Sequence, residues 1–152
     1  MRVSPAVWGF LTQCLGAPLT CDRFATAQDH VLPFYNTFMP EPTHMPIDAF
    51  AQHDWHLHRN WCHPPPHILD KLTDFLSCFK PIPSCVVFTP YWPAHTWFTG
   101  LLDLADWALR VPRDIPPVSS TPPFDFVLFA IQTPLRHWPP GLRWIRVPKQ
   151  LP

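Results

Sequence analysis

Apolar residues recur at helical spacing in three stretches of the chain. The clearest is 68–79, whose apolar residues fall three and four positions apart and therefore share one face of a helix. Residues 7–15 and 97–109 show the same amphipathic pattern. Pro81 and Pro83 follow the clearest stretch, and because proline cannot continue a helix, they mark its end. The pattern predicts three helices.

Four other stretches have the pattern of short strands. Residues 85–89 form a continuous apolar run that includes β-branched Val86 and Val87, which is typical of a strand buried on both faces. The remaining strand candidates are 19–24, 59–63 and 124–132. Because strands and helices alternate along the chain, the expected architecture is a small α/β sheet with helices on both faces.

Composition divides the chain into three parts. Residues 111–123 are polar and rich in proline, which is typical of a linker. We therefore expect a core over 1–110, this linker, and a C-terminal part over 124–152 that holds the last strand and a basic tail. The 23 prolines keep every element short, since proline is excluded from helix interiors and central strands.

Formal net charge is zero, but it is distributed unevenly. Residues 1–135 hold 11 acidic and 7 basic residues, a balance of −4, whereas the tail has four basic residues and no acidic one. Two tryptophans lie among the basic residues of the tail, and this mixture is typical of a nucleic-acid contact. The alternative is a solvated charged end. The basic residues are Arg136, Arg143, Arg146 and Lys149.

Several function classes are excluded by what the sequence lacks. Only four glycines occur, and no glycine-rich phosphate loop or G-x-S-x-G hydrolase motif is formed. No apolar run reaches the roughly 18 residues of a membrane span. The chain has five cysteines, an odd count that would leave one unpaired in a disulfide framework. We therefore expect buried thiols and an intracellular, reducing location, either nuclear or cytoplasmic.

Polar residues that could bind a ligand cluster near the predicted strand ends. Asp22, His63 and residues 89–92 fall just past predicted strands, where ligands bind in α/β sheets. A dense group of zinc-ligand types also occurs around His63, but proline forces a turn within it and the paired C-x-x-C spacing is absent, so we predict no metal site. The members of this group are His56, His58, Cys62, His63 and His67.

The order and spacing of several short motifs carry a family resemblance that spans roughly residues 8–108. The segments concerned are 21–26, 32–36, 47–51 with 54–55, 61–69, 86–93 and 97–98. In these segments the chain resembles the short adenine-N6 DNA methyltransferase-like domains of phages, and more closely their relatives in DIRS-type tyrosine-recombinase retrotransposons, where the domain follows reverse transcriptase and RNase H.

The resemblance implies a fold, a cofactor and a partner. The fold is a methyltransferase-like, Rossmann-like sheet, truncated relative to a full enzyme. The cofactor is S-adenosylmethionine, which we expect near Asp22, Phe24 and Asp48. The partner is DNA, no membrane is involved, and the domain belongs to a longer polyprotein. The tetrad that holds the target adenine corresponds to His63, Pro64, Pro65 and Pro66.

Two positions of this tetrad depart from the family pattern, which is usually Asn-Pro-Pro-Tyr or Asn-Pro-Pro-Phe. His63 replaces the asparagine and Pro66 replaces the aromatic residue. Base–aromatic stacking is worth about 1–3 kcal/mol, so the loss of the ring favours decayed catalysis unless Trp61 or Trp92 substitutes. Two alternatives remain open: a non-catalytic nucleic-acid-interaction module, and a tetrad that is merely a rigid strand-to-helix turn.

Overall fold

A computed structural model describes residues 3–113, 123–137 and 141–148 of the chain. Within them, seven strands form one sheet and three α-helices cover it. The strands are β1 (Cys21–Ala25), β2 (Tyr35–Thr37), β3 (Asn60–Cys62), β4 (Cys85–Pro90), β5 (Trp107–Val111), β6 (Phe126–Ile131) and β7 (Arg143–Arg146). The helices are α1 (Pro5–Cys14), α2 (Leu69–Ser77) and α3 (Thr96–Leu104).

The sheet is mixed, with strand order β2-β1-β3-β4-β6-β5-β7. Strands β1 to β4 pair in parallel. Strand β6 lies between β4 and β5 and is antiparallel to both, and β7 is antiparallel to β5 at one edge. The chain leaves β1 toward β2 on one side and leaves β3 toward β4 on the other. The connections therefore diverge between β1 and β3, which makes this position the topological switch point of the sheet.

Both faces of the sheet are covered by helices, as the alternation of elements predicted. On one face, Val7 and Leu11 of α1 pack in a cluster with Trp61 and Val86. On the other face, α2 and α3 pack against the side chains that point the opposite way, among them Val87. The prediction of an α/β sheet with helices on both faces is confirmed at this level.

Most of the predicted elements are present, although the structure corrects one helix. The stretch 97–109 is not one helix, because α3 ends at Leu104 and Trp107–Val111 forms β5. An apolar run this short fits either a helix or a strand, and here pairing with β6 decides for the strand. The short strand Tyr35–Thr37 was not predicted at all.

The C-terminal part of the chain extends the same sheet. Strand β6 confirms the last predicted strand, and β7 lies within the stretch that we predicted as a basic tail. Val111 ends β5 rather than beginning a linker, and residues 114–122 of the predicted linker lie outside the described residues.

Candidate functional site

A cavity of about 350 Å³ opens at the carboxyl ends of β1, β3 and β4. It lies at the switch point between β1 and β3, where open α/β sheets bind ligands. Its volume is at the lower end of the range for small-molecule sites, roughly 300–1,000 Å³. The lining residues are Phe24, Ala25, Thr26, Asp29, Phe38, His63, Pro64, Pro65, Pro66, Pro90, Phe124 and Phe126.

The walls of this switch-point pocket are mostly rings and prolines. Phe24 and Phe38 lie with their ring centroids 6.1 Å apart, and Phe124 and Phe126 lie 5.4 Å apart. Phe38 retains 40% of its surface exposed, which is unusual for so large an apolar side chain. Flat apolar walls of this kind suit a planar ring, because aromatic faces gain from stacking beyond simple burial.

His63 lies directly after β3 and is one of the polar residues that line the pocket. The edge of its ring meets Phe88, with centroids 4.9 Å apart. Burial lowers the pKa of His63 to about 4, so the imidazole is neutral at pH 7. Neither ring nitrogen has a hydrogen-bond partner within residues 3–113, 123–137 and 141–148. A neutral imidazole offers one donor and one acceptor, and both are available to a ligand here.

Asp22 lies inside β1, within the strand that the pattern predicts over 19–24, so its predicted position just past a strand end is wrong. In β1, Asp22 is flanked by β2 and β3. Asp22 is 3% exposed, and its Oδ2 accepts a 3.0 Å hydrogen bond from the backbone N–H of Val31. Its Oδ1 is buried without a partner among the described residues. Burial raises the pKa of Asp22 to about 6, despite the hydrogen bonds from Val31 and Phe24 that lower it.

A second, small cavity of about 30 Å³ lies between Asp22 and His63. Phe24, Asp29 and His63 line both this cavity and the switch-point pocket. Asp22 itself does not line the larger pocket. The unpartnered carboxylate oxygen therefore lies behind the pocket, at a small cavity that shares His63 with it.

Of the other two predicted cofactor residues, one lines the pocket and one does not. Phe24 lines the switch-point pocket. Asp48 does not, because its exposed carboxylate accepts a hydrogen bond from the backbone N–H of Phe50 at the start of a short 3-10 turn. Asp54 lies near the same segment and is bound to the buried guanidinium of Arg23, 2.9 Å away.

The tetrad is both a pocket wall and a structural turn. All four of its residues line the pocket. Pro66 begins the 3-10 turn Pro66–Ile68 that leads into α2, a position where the fixed φ of proline favours the start of a helix. Pro66 is exposed, so a larger side chain at this position would not enter the core.

Of the aromatic residues that line the pocket, only Phe24 was among the residues that the sequence predicted for the site. Trp61 is buried on the face covered by α1. Trp92 packs edge-on against Phe124, with centroids 5.2 Å apart, and does not line the pocket. Phe38 and Phe124 do, and sequence analysis missed both. Nothing local could have found them, since Phe38 follows the unpredicted strand β2 and Phe124 adjoins the predicted linker.

The predicted basic residues do not form one cluster. The backbone N–H of Arg136 donates to the carbonyl of Cys14 at the carboxyl end of α1, over a distance of 2.6 Å. Arg143 and Arg146 lie instead on the edge strand β7, and Lys149 lies outside the described residues. Arg136 follows the end of β6 that pairs with Cys85, at the opposite end of the sheet from the pocket.

The histidine and cysteine group around His63 is dispersed by the fold. His56 bonds to the carbonyl of Pro81, and His58 bonds to Thr20. Across the described ranges, no three His, Cys, Asp or Glu side chains are placed to hold a metal ion together. All five cysteines are free thiols, and only Cys78 is exposed, which corrects the expectation that all are buried. Burial raises the pKa of Cys85 to about 12, which makes this thiol a poor nucleophile.

In comparisons with known proteins, no family model, curated protein or solved structure matches the chain. Among the helices that the structure describes, none combines the length and apolar character needed to cross a membrane. What the chain does must therefore be argued from the pocket and its surroundings.

Proposed function

We propose that this chain is a retroelement-derived, methyltransferase-like domain that binds S-adenosylmethionine at the switch-point pocket and is related to adenine-N6 DNA methyltransferases. One observation carries the proposal. The two segments that matched the family at the cofactor and the target base meet in one cavity, through Phe24 at the end of β1 and His63–Pro66 after β3.

The strand arrangement supports a Rossmann-like, methyltransferase-like sheet. Four neighbouring parallel strands with a switch point between β1 and β3 have the form of a nucleotide-binding, Rossmann-like half. Two strands run against this parallel set: β6, between β4 and β5, and β7 at the edge.

The chemistry of the pocket fits the adenosine part of the cofactor. Phe24 and Phe38 offer apolar faces to a purine ring, and Thr26 and Asp29 offer polar groups. The buried Oδ1 of Asp22 is an acceptor without a donor among the described residues. The described lining holds no Lys or Arg for the carboxylate of the methionine part. When bound, the cofactor would supply an electrophilic methyl group.

The chain's own residues would orient the target base and accept hydrogen bonds from its amino group. Neutral His63 can accept one N–H hydrogen bond, and the three following prolines restrict the backbone that carries it. An amino nitrogen that gains a methyl group must lose a proton, and an unprotonated imidazole is a suitable acceptor. Pro66 provides no ring for stacking, so we expect weak or lost catalysis with ligand binding retained.

Calorimetric titration of the purified chain with S-adenosylmethionine tests the binding step. We expect a measurable heat for the native chain and roughly tenfold weaker binding for Asp22→Asn, which replaces the buried acceptor. Asp103→Asn changes an exposed carboxylate on α3 in the same way and should bind as the native chain does. Absence of heat with the native chain would refute the cofactor assignment, and equal affinity of all three proteins would remove Asp22 from the site.

The competing function is a non-catalytic nucleic-acid-interaction module, and Pro66 is the observation that favours it. Transfer of tritium from labelled cofactor to single-stranded adenine-containing DNA separates the two, because base flipping costs least there. Decayed catalysis predicts that Pro66→Tyr raises transfer above the native level. If both proteins transfer nothing, bind no cofactor and still bind DNA, the module is correct.

A further inference from the structure

A second groove lies beside the switch-point pocket and is built from basic and aromatic side chains. Its volume is about 420 Å³, and Phe124 lines both this groove and the pocket. The groove therefore adjoins the pocket at the carboxyl end of β4. The side chains that line it come from Tyr91, Arg110, Arg113, Pro123, Phe124 and Asp125.

A single carboxylate in this groove is already fully engaged. Asp125 Oδ2 accepts from Nε of Arg110, and Asp125 Oδ1 accepts from the backbone N–H of Arg113, both at 2.8 Å. The Arg110 guanidinium also lies 4.0 Å from the ring centroid of Tyr91. Arg110 is thus fixed by two partners, whereas the guanidinium of Arg113 donates, among the residues that the structure describes, to one carbonyl, that of Pro123.

Strand β7 adds a further cation beside this pair. Arg143 is the direct cross-strand partner of Arg110, and directly paired residues project from the same face of a sheet. Arg143 is exposed and has no acidic partner within the described residues. Because Arg110 is already paired with Asp125, Arg143 is the positive charge on this side of the sheet that an added anion can bind.

Aromatic side chains line the same groove or contact its lining. Tyr91 lies under Arg110, and Trp92 and Phe124 meet edge to face with centroids 5.2 Å apart. Duplex DNA offers phosphates but keeps its bases stacked, whereas a single strand offers both phosphates and free base faces. Basic side chains mixed with aromatic rings are the combination that binds single strands.

We propose that this groove binds a single-stranded nucleic acid, with phosphodiester groups on Arg113 and Arg143 and bases on the neighbouring aromatic rings. The shared Phe124 would let a base of the bound strand reach the switch-point pocket. The proposal concerns a different surface from the cofactor proposal and stands without it.

Fluorescence anisotropy with a labelled single-stranded oligodeoxythymidine tests the groove. The double variant Arg113→Gln with Arg143→Gln should bind roughly tenfold more weakly, and its salt dependence should fall by about 0.7 for each lost phosphate contact. Lys80→Gln is the control, because it removes one exposed positive charge between α2 and β4, at the opposite end of the sheet from the groove. It should change the affinity less than about twofold.

Competing ligands decide what kind of anion the groove recognises. Unlabelled single-stranded DNA and RNA of equal length show which sugar is preferred, and displacement by either supports the proposal. Tighter binding of duplex DNA, binding of anionic phospholipid vesicles instead of oligonucleotides, or an equal loss in Lys80→Gln would overturn it. Circular dichroism of every variant, and calorimetry of the double variant with S-adenosylmethionine, separate this outcome from unfolding and from failure of the pocket.

Discussion

Nε of Arg23 donates a 2.7 Å hydrogen bond to Oδ1 of Asn60, and this bond joins β1 to β3, the two strands whose carboxyl ends carry the pocket. Arg23 is fully buried, and its Nη1 also reaches Asn36 on β2 at 2.8 Å and Asp54 at 2.9 Å. Its guanidinium lies 4.5 Å from the ring centroid of Trp55. A buried cation is costly unless it is paired and hydrogen-bonded, so this network must stay intact for β1, β2 and β3 to keep their places.

We expect Asn60→Ala to destabilise the fold strongly. The substitution removes the acceptor of Arg23 and also the donor to the carbonyls of Trp55 and Ser84. Breaking a buried charged network typically costs about 3–5 kcal/mol. Urea denaturation measures the change in the free energy of unfolding. Asp74→Ala, which truncates an exposed side chain of α2, should stay within about 0.5 kcal/mol of the native chain. Equal midpoints for the two variants would contradict the assigned role of the network.

Substitution of Val87 by aspartate should unfold the domain. Val87 is fully buried in the middle of β4 and packs on the face covered by α2 and α3. An unpaired carboxylate there costs several kcal/mol, which is a large share of the stability of a typical domain. Val147→Asp places the same side chain at a position that is 54% exposed and should fold as the native chain does. Thermal melting by circular dichroism compares the two, and a cooperative native-like melt of Val87→Asp would show that β4 is not central.

Removal of the Phe38 ring should weaken ligand binding without weakening the fold. Phe38 lines the pocket and is 40% exposed, so its loss leaves little empty core. An aromatic face that stacks on a base contributes about 1–3 kcal/mol, so Phe38→Ala should lower the affinity for an adenine-containing ligand roughly tenfold. Leu57→Ala truncates a side chain that is 83% exposed at the other end of the sheet and serves as the control. Unchanged affinity of Phe38→Ala in calorimetry would place the ligand elsewhere.

The buried carboxyl of Asp22 predicts a pH-dependent stability of defined sign. Its folded-state pKa is raised from 3.8 to about 6, so the folded chain holds this proton more tightly than the unfolded chain does. The stabilisation is complete below pH 3.8 and is lost as the pH rises through about 6. Asp22→Asn should therefore be more stable than the native chain at pH 8, by about 1–3 kcal/mol, with little difference near pH 4.

Urea denaturation of the native chain and Asp22→Asn at both pH values measures this difference. Asp103→Asn, an exposed change of the same kind, should show the same difference from the native chain at both values. His63 contributes in the opposite direction, because burial lowers its pKa from 6.5 to about 4, and its stabilisation is lost as the pH falls through that range. Since both proteins retain His63, its effect cancels in the comparison. The predicted direction of the pH dependence is contradicted if the stability of Asp22→Asn relative to the native chain falls, rather than rises, between pH 4 and pH 8.

Sequence alone determined the elements whose pattern is strong and local. The apolar stripe of α2 fits only a helix and the β-branched run of β4 fits only a buried strand, because within a few residues the spacing of the apolar positions indicates the same element as their burial does. It also determined that His63–Pro66 follow a strand, since three prolines cannot continue one. The alternation of these elements was enough to predict the α/β architecture.

Tertiary structure decided what depends on partners distant in the sequence. Trp107–Val111 is a strand because β6 supplies its hydrogen bonds, and Arg143 faces Arg110 because β7 pairs with β5. Asp22 is a buried strand residue because β2 and β3 flank it. The pocket gathers Phe38 and Phe124 from segments with no shared motif. Strand pairing and side-chain packing join residues far apart in the chain, and no local periodicity encodes which of them will meet.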